Sequence, residues 1–214
     1  MKEYRYYYPP RPKKKIPNEM VSFYERRGWA GQYKKNGTCT VLYVDPNKNI
    51  TVKTRHNSDH KMWTPTEKST GIFKKTPGKG WYVFTCELLH NKTKEIKDTV
   101  YIFDIIVNDG EELVGTTFEQ RQEILRDLFL NTNTESTYSH YILSSNIWLA
   151  KVFYSNFDEI MDDVNYRASL VDGNFEDEGL VFKDPKARLE AMEKEDNNSK
   201  WQVKTRAKTE NYSF

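Results

Sequence analysis

The sequence predicts an α+β fold in which antiparallel sheets are flanked by helices. Between Gly31 and Val107 the chain is a series of β-branched and aromatic segments separated by turn residues. The clearest helix, Phe118–Leu130, comes only after these strands, and short apolar segments typical of strands return near the C-terminus. Strands followed by interspersed helices, without regular β-α alternation, favour antiparallel sheets over a parallel one.

Turn residues divide the first half of the chain into strands. Asn36-Gly37 separates Gln32–Lys35 from Thr38–Val44, and because both turn residues tolerate positive φ, this pattern predicts a β-hairpin. The remaining assignments in this half are a strand at Ile50–Thr54, a polar loop or short irregular helix over 57–80, and two strands, Trp81–Leu89 and Thr99–Val107, joined by a lysine-rich turn.

The second half mixes helices and strands. Thr117 and Gln120 have the spacing of a capping box at the start of the helix at Phe118–Leu130. The other predicted elements are a strand and then a helix within Tyr141–Phe153, an acidic helix at Asn156–Arg167, a strand at Gly179–Lys183, a helix or loop over 185–196, and a final strand at Trp201–Arg206.

Residues 1–28 are rich in proline, tyrosine and lysine and are predicted to form a basic, extended arm, with one globular domain over 29–214. The formal net charge is only +2, but residues 1–40 hold ten Lys or Arg and three Glu, whereas residues 155–195 hold twelve Asp or Glu and five Lys or Arg. A basic surface suits a polyanionic partner. The run Lys13-Lys14-Lys15 by itself is more typical of a solvated tail.

Composition excludes several classes of protein. No apolar run approaches the roughly 18 residues of a membrane span, and the basic N-terminus has no signal-peptide core, so a cytoplasmic protein without membrane contact is expected. Two cysteines without a CxxC spacing do not make a disulfide framework or a structural zinc site. Aromatic residues make up 14% of the chain, which is enough for a packed core.

Charged residues interrupt several strands that otherwise look buried. Lys34 stands at a strand end before Asn36-Gly37, which fits an ordinary turn with an exposed lysine or, alternatively, a nucleophilic amine beside a glycine that allows close approach of a ligand. Arg55 follows the strand at Ile50–Thr54 and can grip a phosphate. Glu87 and Asp104 lie within strongly apolar strands, where a carboxylate is costly unless it is paired.

The last two predicted strands carry charges in the same way. Glu178 and Lys183 stand at the two ends of Gly179–Lys183, and period-two alternation puts Lys204 and Arg206 on one face of the final strand. Each segment alone is also compatible with an edge strand that has solvated charges.

In this order, the segments resemble the nucleotidyltransferase domain of ATP-dependent polynucleotide ligases, a superfamily shared with RNA capping enzymes. Lys34 to Gly37 is similar to the K-x-D-G adenylation motif, and the resemblance implies that Lys34 is the catalytic nucleophile. The resemblance implies nucleotide-binding roles for Arg55, for Glu87 on the ribose and for Phe103 stacked on adenine. It covers roughly residues 29–206 and implies an ATP-grasp-like fold.

The later motifs complete the resemblance. Glu178 to Lys183 is similar to E-G-[ILV]-V-x-K, which implies that Glu178 binds metal and that Lys183 binds nucleotide. Lys204-Thr205-Arg206 is similar to the terminal K-x-[KR] motif, which implies that Lys204 and Arg206 bind nucleotide. Clustered cations are expected to lower the pKa of Lys34.

The implied reaction uses ATP and Mg²⁺, forms a lysyl-AMP intermediate, and seals a 5′-phosphate to a 3′-hydroxyl in a nicked duplex or between RNA ends, as in DNA repair or replication. Eight residues follow Arg206, so an OB-fold domain is not expected, and self-adenylation is then slow or assisted by a partner protein. A monomer is expected.

The substrate stays open at this stage. Asn36 in place of Asp, and Cys39 where DNA ligases usually have Arg, leave room for an RNA ligase, although DNA is favoured. A capping-type guanylyltransferase is less favoured. The alternative that is not an enzyme is a non-catalytic nucleic-acid-binding relative, which keeps the fold without the chemistry.

Overall fold

The computed structural model describes residues 4–170 and 175–208. The strands are β1 (Arg11–Lys15), β2 (Ala30–Lys35), β3 (Thr38–Val44), β4 (Ile50–Thr54), β5 (Tyr82–Leu89), β6 (Thr99–Asn108), β7 (Glu111–Glu112), β8 (His140–Ser144), β9 (Ile147–Ala150), β10 (Asp177–Lys183) and β11 (Asn198–Arg206). The α-helices are α1 (Val21–Arg26), α2 (Glu67–Thr70), α3 (Phe118–Phe129) and α4 (Phe157–Ser169). No helix among these residues is long and apolar enough to cross a membrane.

The strands form two sheets, which confirms the predicted α+β class. Sheet A has the order β1-β11-β10-β2, and sheet B has the order β4-β3-β5-β6-β9-β8, with β7 paired to β6. Most pairs are antiparallel, but β1 pairs with β11 and β6 with β9 in parallel. Both sheets are therefore mixed. In sheet B, α3 lies between β6 and β9 along the chain and lets the chain cross over and re-enter in the same direction.

Two apolar clusters hold the sheets and helices together. The larger covers sheet B and includes Phe84, Ile102 and Leu125 of α3, all fully buried. The smaller packs α1 and α4 against sheet A, where Phe157 stacks on Phe182 with ring centroids 4.8 Å apart. Each sheet therefore packs against its own helices, and Trp201 of β11 in sheet A also belongs to the larger cluster.

The predicted hairpin across Asn36-Gly37 is wrong. β2 pairs with β10 in sheet A, whereas β3 pairs with β4 and β5 in sheet B, so the chain passes from one sheet to the other at this turn. Neither Asn36 nor Gly37 has positive φ. Gly37 is needed for another reason: a Cβ there would lie 2.5 Å from the carbonyl oxygen of Leu88, so the glycine lets the turn pack directly on β5.

The second half follows the sequence expectations with one difference, a predicted helix that is absent. The Thr117/Gln120 capping box at the start of α3 is confirmed. The helix predicted within Tyr141–Phe153 is absent, because this segment turns at Ser145-Asn146 and forms β8 and β9. The stretch 185–196 is a loop, and 67–75 is a short helix continued by a 3₁₀ turn.

The N-terminal segment is more ordered than a solvated tail. β1 joins sheet A at its edge, with Lys15 opposite Lys204 of β11. The side chains of Lys13 to Lys15 are exposed as expected, but their backbone belongs to the sheet. The division into an arm over 1–28 and a domain over 29–214 stays a prediction.

Candidate active site

A cleft of about 750 Å³ is lined by residues of both sheets. All eight residues proposed from the sequence line it, namely Lys34, Arg55, Glu87, Phe103, Glu178, Lys183, Lys204 and Arg206. These residues come from six strands or strand ends spread over 173 positions of sequence, so only tertiary structure brings them together.

Strand register explains why one face of sheet A carries the cations. Gly179 of β10 pairs with Lys34 on one side and with Arg206 on the other. Two residues along, Val181 pairs with Lys204. Directly paired residues, and residues two apart on a strand, share a face of the sheet, so the three cationic side chains point to the same side.

A β-bulge turns Glu178 toward these cations. The register with β2 shifts between Asp177 and Gly179, so Glu178 is the extra residue of β10. Bulges re-aim side chains in this way. Gly179 has φ of +150°, and a Cβ there would lie 2.1 Å from the carbonyl oxygen of Thr205, so only glycine fits behind the bulge.

Lys34 lies partly buried in the cleft, with its side chain 19% exposed. Its Nζ contacts Oε1 of Glu178, and Oε2 of Glu178 is 3.6 Å from the Arg206 guanidinium. Burial lowers the pKa of Lys34 to about 8, and the charges of Arg206, Lys204 and Lys92 act in the same direction, while Glu87 opposes them. The lowered pKa matches the sequence expectation, but desolvation is the main cause and Lys183 is not among the contributors.

The neighbouring lysine faces the other way. The side chain of Lys35 is fully buried, and its Nζ contacts Glu176, lies 2.7 Å from Asp177 and donates to Ser139 Oγ at 2.9 Å. Its ammonium is therefore a structural cation held by two carboxylates. Of the two consecutive lysines, only Lys34 presents its amine to the cleft.

Sheet B contributes a carboxylate and a guanidinium to the opposite wall. Glu87 on β5 pairs with Cys39 on β3, and burial raises the pKa of Glu87 while the charges of Lys34, Lys92 and Arg55 oppose that rise. Arg55 follows β4 with its backbone N–H bonded to the Cys39 carbonyl at 3.2 Å, and its Nε donates to His56 Nε2 at 3.0 Å. Burial also raises the pKa of the Cys39 thiol to about 12, so this cysteine is a neutral wall residue.

An aromatic and a lysine form another part of the cleft. Nζ of Lys183 lies 5.1 Å from the ring centre of Phe103 and 4.6 Å from that of Phe118. Burial lowers the pKa of Lys183 to about 8. The neighbouring Asp104 is fully used in the core, where Arg121 donates to both of its carboxylate oxygens at 2.9 and 3.1 Å.

Comparison with known proteins finds relatives by structure alone, since no protein-family model and no curated protein matches the chain. Mycobacterial DNA ligase D complexed with ATP is 13% identical, with a TM-score of 0.56, over 83% of this chain and 54% of that one. The ATP-dependent DNA ligase of bacteriophage T7, in complex with ATP, is 11% identical, with a TM-score of 0.53, over 93% and 68%. A Lig E DNA ligase is 15% identical, with a TM-score of 0.50, over 92% and 68%.

The chain has the nucleotidyltransferase-domain fold of ATP-dependent DNA ligases. The predicted fold is therefore confirmed. The chain spans about half the length of the mycobacterial ligase structures that it matches.

The cleft also contains residues that the sequence does not single out. Lys92, in the turn between β5 and β6, donates to the Gly37 carbonyl and adds a positive charge beside Lys34. Arg11 and the flanking prolines of the N-terminal segment line the cleft as well. No motif spacing marks these residues, because they reach the cleft through the β5–β6 turn and through pairing of β1 with β11.

Proposed function

We propose that this protein is an ATP-dependent polynucleotide ligase that carries AMP on Lys34. The observation that supports this most directly is the placement of the Lys34 amine in a ligase-type cleft, partly buried among cations, with a pKa of about 8. The acceptor of the AMP is the 5′-phosphate of a nucleic-acid end. The adjacent 3′-hydroxyl then displaces AMP and seals the strand.

The lowered pKa makes Lys34 suitable as a nucleophile. An amine attacks phosphorus only in its neutral form. With a pKa of about 8, roughly a quarter of the Lys34 side chains are neutral at pH 7.5, compared with about one in a thousand for an ordinary lysine of pKa about 10.4. The contact with Glu178 favours the ammonium, so attack also requires the carboxylate to turn to another partner, for which Arg206 is in reach.

The first step exchanges one bond at the α-phosphorus of ATP for another. The ammonium of Lys34 first loses its proton to water. Its nitrogen lone pair then attacks the α-phosphorus, the N–P bond forms, and the bond from phosphorus to the bridging oxygen of the β-phosphate breaks. The leaving pyrophosphate takes that electron pair, and the nitrogen, now bonded to phosphorus, releases one of its two remaining protons to water. Lys204 and Arg206 stabilise the negative charge on the transferring phosphate.

The other cleft residues orient the nucleotide. Phe103 offers a ring on which adenine stacks, Glu87 accepts a hydrogen bond from a ribose hydroxyl, and Arg55 and Lys183 hold ribose or phosphate oxygens. These roles follow the motif resemblance, and their common location on the cleft wall supports them.

Glu178 is the residue proposed to hold Mg²⁺. The described residues contain no group of three His, Cys, Asp or Glu side chains that could hold a metal ion. The single carboxylate of Glu178 fits Mg²⁺, which proteins commonly bind through one or two carboxylates together with substrate phosphates and water. When bound, the ion neutralises charge on the phosphates.

DNA is the favoured nucleic acid, since the neighbours by fold are DNA ligases, and RNA ends are the alternative. Sealing assays on a nicked DNA duplex, a nicked RNA duplex and single-stranded RNA separate the two substrates. We expect sealed product from nicked DNA. Sealing confined to RNA would reassign the substrate without changing the lysyl-AMP chemistry.

The decisive experiment is incubation with [α-³²P]ATP and Mg²⁺ followed by denaturing electrophoresis. We expect a labelled band for the wild type and for Lys14→Met, which removes an exposed lysine of β1, and no band for Lys34→Met. Label that persists in Lys34→Met places the nucleophile elsewhere. A wild type that binds nucleic acid but never takes up label supports the non-catalytic alternative.

A further inference from the structure

The N-terminal strand β1 brings one cation into the cleft, Arg11, and sets a second, Lys15, beside Lys204; no motif assigns either residue. Arg11 lines the cleft together with Pro9, Pro10 and Pro12. Lys15 pairs in register with Lys204, so its side chain lies on the face of sheet A that bears the cleft cations. β1 is therefore part of the cleft wall as well as an edge strand.

Arg11 is held in place by the chain segment before β11. Its Nη2 donates to Asp196 Oδ1 at 2.6 Å, and its Nε donates to Asn198 Oδ1 at 3.2 Å. Its backbone N–H donates to the Asn197 carbonyl at 3.0 Å. The two side-chain bonds use two of the five N–H donors of a guanidinium, so three donors remain for a ligand.

Positive charges converge on this end of the cleft. The pKa of Lys204 is lowered by burial and then by the charges of Arg206, Lys15, Arg55 and Arg11, which places all four near its ammonium. Glu178 balances Lys34 and Arg206, and Asp196 balances Arg11. A concentration of like charges in a concave site suits a ligand with several negative charges.

We propose that Arg11 and Lys15 form a polyphosphate subsite that binds the β- and γ-phosphates of the nucleotide and retains the leaving pyrophosphate. The proposal rests on Lys34 being the nucleophile. In an in-line displacement the leaving oxygen lies opposite the attacking atom. Lys34 lies on β2 at one edge of sheet A, and β1 lies at the other edge, about 14 Å away at three strand spacings, with Lys204 and Arg206 of β11 in between. A leaving group that points away from Lys34 across these cations meets Arg11 and Lys15.

A nucleic-acid backbone is the other polyanion to consider, and two observations favour polyphosphate. Arg11 lines the cleft, although β1 is the edge strand of sheet A. Lys13 and Lys14 neither line the cleft nor appear among the charges that lower the pKa of Lys204, whereas Lys15 pairs with Lys204 and lowers its pKa although the Lys15 side chain is exposed. These lysines supply matched controls within the same strand.

The test measures binding of inorganic tripolyphosphate and of AMP by calorimetry, with no reaction required. We expect Arg11→Gln and Lys15→Gln each to weaken tripolyphosphate binding at least fivefold and to leave AMP binding within twofold of the wild type. Lys14→Gln, with the same loss of charge on the same strand, should change neither. Thermal melting of each variant checks that the fold is retained.

Tripolyphosphate binding that is unchanged in both Arg11→Gln and Lys15→Gln overturns the proposal. An equal loss of binding in Lys14→Gln overturns it as well. Loss of oligonucleotide binding without loss of tripolyphosphate binding assigns these cations to nucleic acid instead. Failure of the proposed ligase function is distinguishable, because it appears as absence of label on the wild type from [α-³²P]ATP, whatever the binding data show.

Discussion

At the scale of single residues, Lys34 and Lys35 differ in their surroundings, although they are consecutive on β2. Consecutive side chains on a strand point to opposite faces, so one lysine meets the cleft and the other meets Glu176 and Asp177 inside the protein. The first has a pKa of about 8 because of burial and nearby cations. Two lysines that are adjacent on one strand thus have different surroundings, because their side chains point to opposite faces of the sheet.

The pKa of Lys34 predicts the pH dependence of labelling. Below pH 8 the neutral amine increases about tenfold per pH unit, so the initial rate of lysyl-AMP formation should rise about tenfold from pH 6 to pH 7 and level off above about 8. Single-turnover labelling with [α-³²P]ATP across this range measures the profile. A midpoint near 10 would show that the cleft does not activate the amine.

Lys92 gives a variant that should move this profile. Its charge lowers the pKa of Lys34, so Lys92→Met should shift the midpoint to higher pH. Lys94→Met, in the same turn but not among the charges that act on Lys34, is the control and should leave the midpoint unchanged. Equal shifts in both variants would contradict the assignment.

At the scale of elements, the passage from β2 to β3 fixes the relation between the two walls of the cleft. Lys34 ends a strand of sheet A, and Cys39 and its partner Glu87 lie in sheet B. The connection packs so tightly on β5 that a Cβ on Gly37 would lie 2.7 Å from Cγ of Glu87. This turn therefore couples Lys34, the proposed nucleophile, to Glu87, the proposed ribose ligand.

Gly37→Ala should impair both stability and activity. The added methyl meets the backbone of Leu88, which cannot move aside like a surface side chain, so we expect a loss of about 1–3 kcal/mol in the free energy of unfolding. The melting temperature should fall by about 2–10 °C, and labelling should slow. Gly71→Ala is the control, because its Cβ meets only the flexible end of Glu67. Equal melting temperatures for the two variants would contradict this account.

At the scale of the whole molecule, the cleft lies between the two sheets and is lined by residues of both. Sheet A supplies the cations and Glu178, while sheet B supplies Glu87, Phe103 and the strand end that carries Arg55. A nucleotide that touches both walls adds contacts between the sheets. Ligand binding should therefore stabilise the molecule as a unit.

ATP should raise the melting temperature and slow hydrogen exchange in both sheets. At an ATP concentration of 100 Kd the expected gain is about 2.7 kcal/mol, or roughly 5–10 °C. The experiment uses Lys34→Met with ATP and Mg²⁺, so that binding is measured without covalent labelling. Increased protection is expected in β10 and β11 and also in β3 and β5. Protection confined to one sheet would show that the nucleotide does not bridge them.

The α+β class, most strands, the capped helix α3 and eight of the residues that line the cleft could be predicted from the sequence, while the roles of those eight residues stay predictions. Charges inside apolar strands are costly unless something pairs with them, which makes such residues visible in a sequence. Tertiary structure alone decided that β2 and β3 belong to different sheets, that a bulge turns Glu178 toward Lys34, and that Arg11 and Lys92 reach the cleft. These features depend on strand register and on contacts between residues far apart in the chain, which no local pattern encodes.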